Sequence, residues 1–185
     1  MKHMTMKKNF YTKTLLFVSL TLLSLTGWGQ IISENFNEST TSATSGGTGM
    51  PTSYSTGNYV LTSGTWALTT AIYNNNSSNY HSSPSALQLR SVTGSQAISP
   101  TIATGGVGTL TFWAALTSGS GTSLQVNISV NGGGYTPVTG SPFSLTTTTT
   151  QFSVPINNSG SNIQLQFYRT SGTVVIDDVI TTAVA

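Results

Sequence analysis

Ser123-Leu124-Gln125-Val126-Asn127-Ile128-Ser129-Val130 alternates without a break between polar and apolar residues. Leu124, Val126, Ile128 and Val130 fall on one side, and Ser123, Gln125, Asn127 and Ser129 on the other. Successive side chains of an extended chain point to opposite faces, so the stretch predicts a strand with one face in a core and one in water. Asn131-Gly132 follows at once, and that dipeptide behind an alternating run signals a tight hairpin turn.

The same reading extends in both directions. Asn162 to Tyr168 buries Ile163, Leu165 and Phe167, while Leu110, Phe112, Ala114 and Leu116 alternate with Thr111, Trp113 and Ala115. Further strands are expected at Ile31 to Phe36, Asn58 to Thr62, Thr65 to Thr70, Ala86 to Ser91, Gln151 to Ile156 and Thr173 to Thr181. Clusters such as Thr104-Gly105-Gly106, Gly119-Ser120-Gly121 and Asn157-Asn158-Ser159-Gly160 separate them and carry turn chemistry. Pro155 inside its run implies an edge strand or a bulge. Thr146 to Thr150 reads as the approach to that strand, and Ser39 to Gly57 as a long surface loop. No window after the leader has helical periodicity with caps. The expectation is an all-β fold, an antiparallel β-sandwich of jelly-roll topology.

Charge divides the chain in two. Lys2, Lys7, Lys8 and Lys13 lie in the first 29 residues; Arg90 and Arg169 are the only other cations, against Glu34, Glu38, Asp177 and Asp178. Behind the four lysines Thr14 to Thr26 is apolar, and Gly27 and Gly29 put small residues before Gln30. This is the pattern of a secretory signal peptide over residues 1–29. The apolar run of 13 residues is shorter than the roughly 20 needed to span a bilayer. Residues 30–185 are then expected to form one β-sandwich domain, secreted to the extracellular space or cell surface, with no membrane insertion.

That part has a net charge of −2 and no cysteine. It has no clustered Lys/Arg to neutralise phosphates, which argues against a nucleic-acid partner. A disulfide scaffold is excluded. Disordered chains combine high net charge with few aromatics; here the net charge is small, and two tryptophans and five phenylalanines recur in alternating runs. A Ser–His–Asp hydrolase would need the lone histidine of this part, His81, to meet a nucleophile, and no Gly-x-Ser-x-Gly string is present. His81 is read as a surface-loop residue without a role. Zinc catalysis lacks ligands. Glycoside hydrolysis needs two facing carboxylates, whereas Asp177 and Asp178, adjacent on a strand, are expected to face opposite ways. The domain is expected not to be an enzyme.

Four strings carry a resemblance: Glu34-Asn35-Phe36, Ser85-Ala86-Leu87-Gln88-Leu89, Gly108-Thr109-Leu110-Thr111-Phe112-Trp113 and Ile176-Asp177-Asp178-Val179. In this order they resemble the jelly-roll modules of secreted bacterial surface proteins, some of them adhesins, which share their architecture with galactose-binding-like and carbohydrate-binding modules. The resemblance implies a structural calcium ion, with Glu34 and Asp177 or Asp178 among its ligands. Calcium takes six to eight oxygens, so carbonyls could complete such a set.

Binding is read from the aromatics. Tyr54, Tyr59, Trp66, Tyr73, Tyr80, Trp113, Tyr135 and Tyr168 are many for a chain so poor in charge. Aromatic rings can stack on sugar rings while Asn, Gln, Ser and Thr bond their hydroxyls, and a neutral glycan needs no charge in its site. Phe112 and Trp66 are expected in the core, and Trp113 on the opposite face, exposed or covered by a loop. Tyr73 and Tyr80 flank a polar loop, where binding groups concentrate. Tyr73, Tyr80 and Arg90 are therefore the expected ligand-binding residues, and a neutral glycan or cell-surface polysaccharide the expected partner. The alternative is a structural or adhesive protein without a small ligand, able to self-assemble.

Overall fold

The computed structural model describes residues 31–41 and 47–184; the expected leader lies outside them. Among the described residues there are strands and turns but no α-helix, and no helix long and apolar enough to cross a membrane. The strands are β1 (Ser33–Glu34), β2 (Thr40–Thr41), β3 (Met50–Pro51), β4 (Ser55–Leu61), β5 (Gly64–Asn74), β6 (Ala86–Leu89) and β7 (Gln96–Ile98). They continue with β8 (Val107–Leu116), β9 (Gly121–Ser129), β10 (Thr136–Pro137), β11 (Phe143–Leu145), β12 (Thr150–Asn158), β13 (Gln164–Arg169) and β14 (Val174–Thr181).

Hydrogen bonds run β10-β9-β13-β7-β5-β6-β14-β8-β12, every pair antiparallel. This continuous ribbon is folded into two layers at β5. Ala67 to Thr69 pair with β7, whereas Ala71 to Asn74 pair with β6. Between them Thr70 adopts φ +51°, a left-handed conformation costly for a β-branched residue and suited to turning a strand from one sheet into another. The first layer holds β4, the start of β5, β7, β13 and β9, flanked by β10 and β11; the second holds the end of β5, β6, β14, β8 and β12. β1 adds to β14 beyond β6, with Glu34 opposite Val179.

The core lies between the layers. Leu110, Phe112 and Leu116 of β8, Leu124 and Val126 of β9, and Leu165 and Phe167 of β13 are buried, the faces that alternation assigned. Phe112 meets Phe167 edge-on across the layers at 5.5 Å, and Trp66 meets Phe36 at 5.2 Å. Each fully buried side chain of this size contributes about 2–3 kcal/mol of transfer free energy. Val130 to Gly133 form the expected turn. Asn131 and Gly132 have φ +54° and +70°, Gly133 N–H donates to Val130 O at 3.0 Å, and the return strand is only the short β10. β12 is an edge strand, with a register shift between Pro155 and Asn158.

Two expectations are corrected. The run Ile31 to Phe36 pairs only over Ser33–Glu34, because Phe36 turns to φ +51° and drives its ring into the core. The stretch Ser39 to Gly57 is not all loop: it holds β2 and β3, paired in parallel, and the start of β4. β7 went unread because three residues are too few to display alternation.

Candidate functional site

The outer face of the first layer is built from the polar halves of the alternating strands. One row across it runs Asn58, Ala67, Ile98, Gln166, Asn127 and Pro137, from β4 through β5, β7, β13 and β9 to β10. The next runs Thr69, Gln96, Tyr168 and Gln125. None of the described charged residues stands in either row.

Four amides on this face form one directed chain. Gln125 Nε2 donates to Asn127 Oδ1 at 2.8 Å, Asn127 Nδ2 to Gln166 Oε1 at 2.6 Å, and Gln166 Nε2 to Gln96 Oε1 at 2.6 Å. The chain crosses β9, β13 and β7, and Tyr168 stands between Gln96 and Gln125. Tyr135 flanks it and donates its hydroxyl to Gln164 Oε1 at 3.4 Å; burial raises the phenol pKa, so the group stays a neutral donor. Each amide has two N–H groups and two lone pairs, so every amide in the chain keeps capacity for a ligand hydroxyl. Their mutual bonds fix side chains that would otherwise rotate freely. Asn127 is 5% exposed, and Gln96, Gln125, Gln164, Gln166, Tyr135 and Tyr168 are half-buried although they face away from the core.

The residues expected at the site are elsewhere. Tyr73 lies opposite Leu87 in β5 and packs against the core rather than standing in the loop. Tyr80 is half-buried in that loop, and Arg90 is exposed just beyond β6. No hydrogen bond or ring contact joins these three residues.

On the outer face of the second layer the segment after β5 folds down over Trp113. His81 stacks on its indole at 3.6 Å with the planes 10° apart, so His81 has a structural role. Its Nδ1 lies 2.6 Å from Asp178 Oδ2. Asp177, 1% exposed, accepts the backbone N–H groups of His81 and Ser82 at 2.8 Å each, and Asp178 accepts Ser82 Oγ at 2.9 Å. The two aspartates therefore reach one loop instead of opposite faces. Asp178 has φ +45° and the β14–β8 register shifts beside it, a bulge that suspends alternation. Burial raises the Asp177 pKa to about 6 against the lowering effect of its hydrogen bonds.

Glu34 belongs to a different cluster. It is 1% exposed and accepts Phe36 N–H at 3.1 Å on Oε1, and Ser63 N–H at 3.0 Å and Ser63 Oγ at 2.7 Å on Oε2. Burial, then the neighbouring Glu38, raises its pKa to about 7. Glu38 accepts Thr62 N–H at 2.6 Å through Oε1, while its buried Oε2 has no partner. Glu34, Asp177 and Asp178 thus do not form one ligand set, and among the described residues no three of His, Cys, Asp and Glu converge for a metal. The oxygens that fit a hard cation are those of Glu34 and Glu38, one of them buried without a donor.

No protein-family model matches the chain, and no curated protein matches its sequence. Solved structures are similar in fold. The K1 cleaved adhesin domain of Lys-gingipain from Porphyromonas gingivalis W83 has a TM-score of 0.51 at 15% identity, over 85% of this chain and 100% of that one. The module TmCBM61 in complex with β-1,4-galactotriose gives 0.47 at 17% identity, over 64% of this chain and 88% of that one. The C-terminal family 22 carbohydrate-binding module of Clostridium thermocellum Xyn10B gives 0.46 at 8% identity, over 63% and 82%. An adhesin domain is thus among the structures of similar fold, in line with the resemblance of the four strings. At these identities the likeness shows the fold: the chain is an antiparallel β-sandwich of jelly-roll type.

Proposed function

We propose that this is a secreted, non-catalytic module that binds a neutral glycan on the outer face of β7, β13 and β9. The observation that carries the reading is the directed amide chain Gln125–Asn127–Gln166–Gln96, on a charge-free face beside Tyr168 and Tyr135. A sugar presents alternating hydroxyls and apolar C–H faces, and this surface offers preordered donors and acceptors with two rings. The non-catalytic part is supported by the carboxylates: Glu34 is buried against Ser63, and Asp177 and Asp178 hold the His81 loop. Calcium enters the proposal at Glu34 with Glu38, in place of the aspartates, where it would serve stability and not ligand binding.

The test is isothermal titration with neutral galactan, xylan and mixed-linked glucan oligosaccharides. Gln166→Ala interrupts the chain at its centre and should weaken binding about tenfold, the scale of one or two lost hydrogen bonds. Its loss of stability should stay near the value of the Asn127–Gln166 bond, about 1–2 kcal/mol, so that the variant is folded during the titration. A saturable signal unchanged by Gln166→Ala would move the site elsewhere. No binding across the panel would favour the adhesive reading, for which the uncharged edge strand β12 is the supporting feature.

A further inference from the structure

Arg90 and Arg169 are the only lysine or arginine side chains among the described residues, and neither meets a carboxylate; the one ion pair there is His81–Asp178. The four carboxylates gather elsewhere, at Thr62–Ser63 and at His81–Ser82. Each guanidinium has its own setting. Arg169 donates from Nη2 to Ser91 Oγ at 3.3 Å and from Nε to Gly172 O at 2.8 Å. Arg90, next to Ser91, is anchored by its backbone N–H to Thr70 O at 3.1 Å. A domain of negative net charge thus keeps both its guanidinium groups apart from its carboxylates.

Arg90 is also held in a particular pose. Its guanidinium carbon lies 5.1 Å from the centre of the Tyr54 ring, within cation–π range. The Tyr54 hydroxyl accepts Gln88 Nε2, and Gln88 Oε1 accepts Asn74 Nδ2. Asn74, 9% exposed, in turn accepts Asn76 N–H at 2.8 Å. A relay of three side chains therefore fixes the ring on which an exposed guanidinium rests, and the guanidinium itself keeps its in-plane donors. Such a fork matches a carboxylate, which can accept two of its N–H groups at once.

We infer that Arg90, seated on Tyr54, forms a second binding site, for the carboxylate of a uronic acid unit in an acidic glycan. That the carboxylate is carried by a sugar rests on the glycan reading above; that it is an anion rests on the exposed Arg90 guanidinium, which meets no carboxylate. The Gln88 amide is held to the hydroxyl of the same ring that carries the fork, where neutral donors and acceptors could meet ring hydroxyls. The site lies beyond β6 and on the outer face of the second layer, apart from the amide chain of β7, β13 and β9.

The test is titration of the purified protein with trigalacturonate and with its methyl ester, at low and moderate salt. The acid should bind about tenfold more tightly than the ester, the scale of a charge-assisted hydrogen-bonded pair, and the difference should shrink as salt rises. Arg90→Ala should remove that difference while leaving the thermal midpoint unchanged, because the side chain is exposed. Arg90→Lys, which keeps the charge but not the fork, should fall between. Equal binding of acid and ester, or an Arg90→Ala variant that binds the acid as wild type does, overturns the inference. Gln166→Ala separates the two sites: acid binding lost there and retained in Arg90→Ala would leave only the amide face. Binding of the acid through Arg90 with no neutral ligand bound would sink the amide-face proposal and keep this one.

Discussion

His81 shields one face of Trp113 and is itself held by Asp178, so its removal should be read directly by the indole. The chain from residue 30 onward has two tryptophans, and Trp66 is fully buried. In His81→Ala, acrylamide should quench a fraction of the fluorescence that wild type protects, with Trp66 as the inaccessible reference. The lost stacking and the lost hydrogen bond to Asp178 should cost about 1 kcal/mol in urea unfolding. Quenching equal to wild type would mean that the loop, and not the imidazole, covers the ring. This cluster was not legible in the sequence. A residue pair such as Asp177-Asp178 reads as two opposite faces as long as the strand keeps its period of two. One residue at φ +45° breaks that period, and the only local sign is that aspartate tolerates the left-handed region better than most residues.

Among the elements, β8 and the chain beyond β14 pack at backbone distance. Gly108 N–H donates to Thr182 O at 2.8 Å, and a Cβ at Gly108 would stand 2.4 Å from Ala183 O. Gly108→Ala should therefore displace the C-terminal segment and destabilise the domain by about 1–3 kcal/mol, the range for overpacked sites. A urea midpoint equal to wild type would show that the segment moves aside freely. At this scale the sequence spoke clearly wherever a strand was long. Leu124 to Val126 and Leu165 to Phe167 declared their core face, and by the same alternation Gln125, Asn127, Gln164, Gln166 and Tyr168 declared the outer one. Three of the four amides of the chain were thus visible as outward positions, and Gln96, on the three-residue β7, was not. Their convergence was not, because it depends on β13 lying between β7 and β9, and strand order leaves no trace in periodicity. Tyr73 was misplaced for a related reason: β5 runs on to Asn74, carrying Tyr73 past the expected strand end and onto the core face.

For the molecule as a whole, scarcity of charge and burial of two carboxyls together predict an unusual response to pH. Glu34 is raised from 4.5 to about 7 and Asp177 from 3.8 to about 6, burial being the first cause in both. Each binds its proton more tightly folded than unfolded. Their contribution to stability is therefore fully present below pH 4 and is lost as pH rises, through about 6 for Asp177 and about 7 for Glu34. The two shifts together correspond to a loss between pH 4 and 7.5 on the order of 5 kcal/mol. Ordinary acid unfolding by repulsion has little to act on, since beyond residue 29 only Arg90, Arg169 and His81 can be positive. Urea unfolding at pH 4.5, 6 and 7.5 should accordingly show stability falling with pH, and Glu34→Gln should flatten the upper part of that fall. Calcium competes with the proton for the Glu34–Glu38 oxygens, so it should raise the midpoint at pH 7.5, where the carboxyls are ionised, and leave pH 4.5 unchanged. Stability that rises with pH would show that the hydrogen bonds to the two carboxyls outweigh their burial. A midpoint at pH 7.5 indifferent to calcium and to a chelator would remove the metal from the proposal.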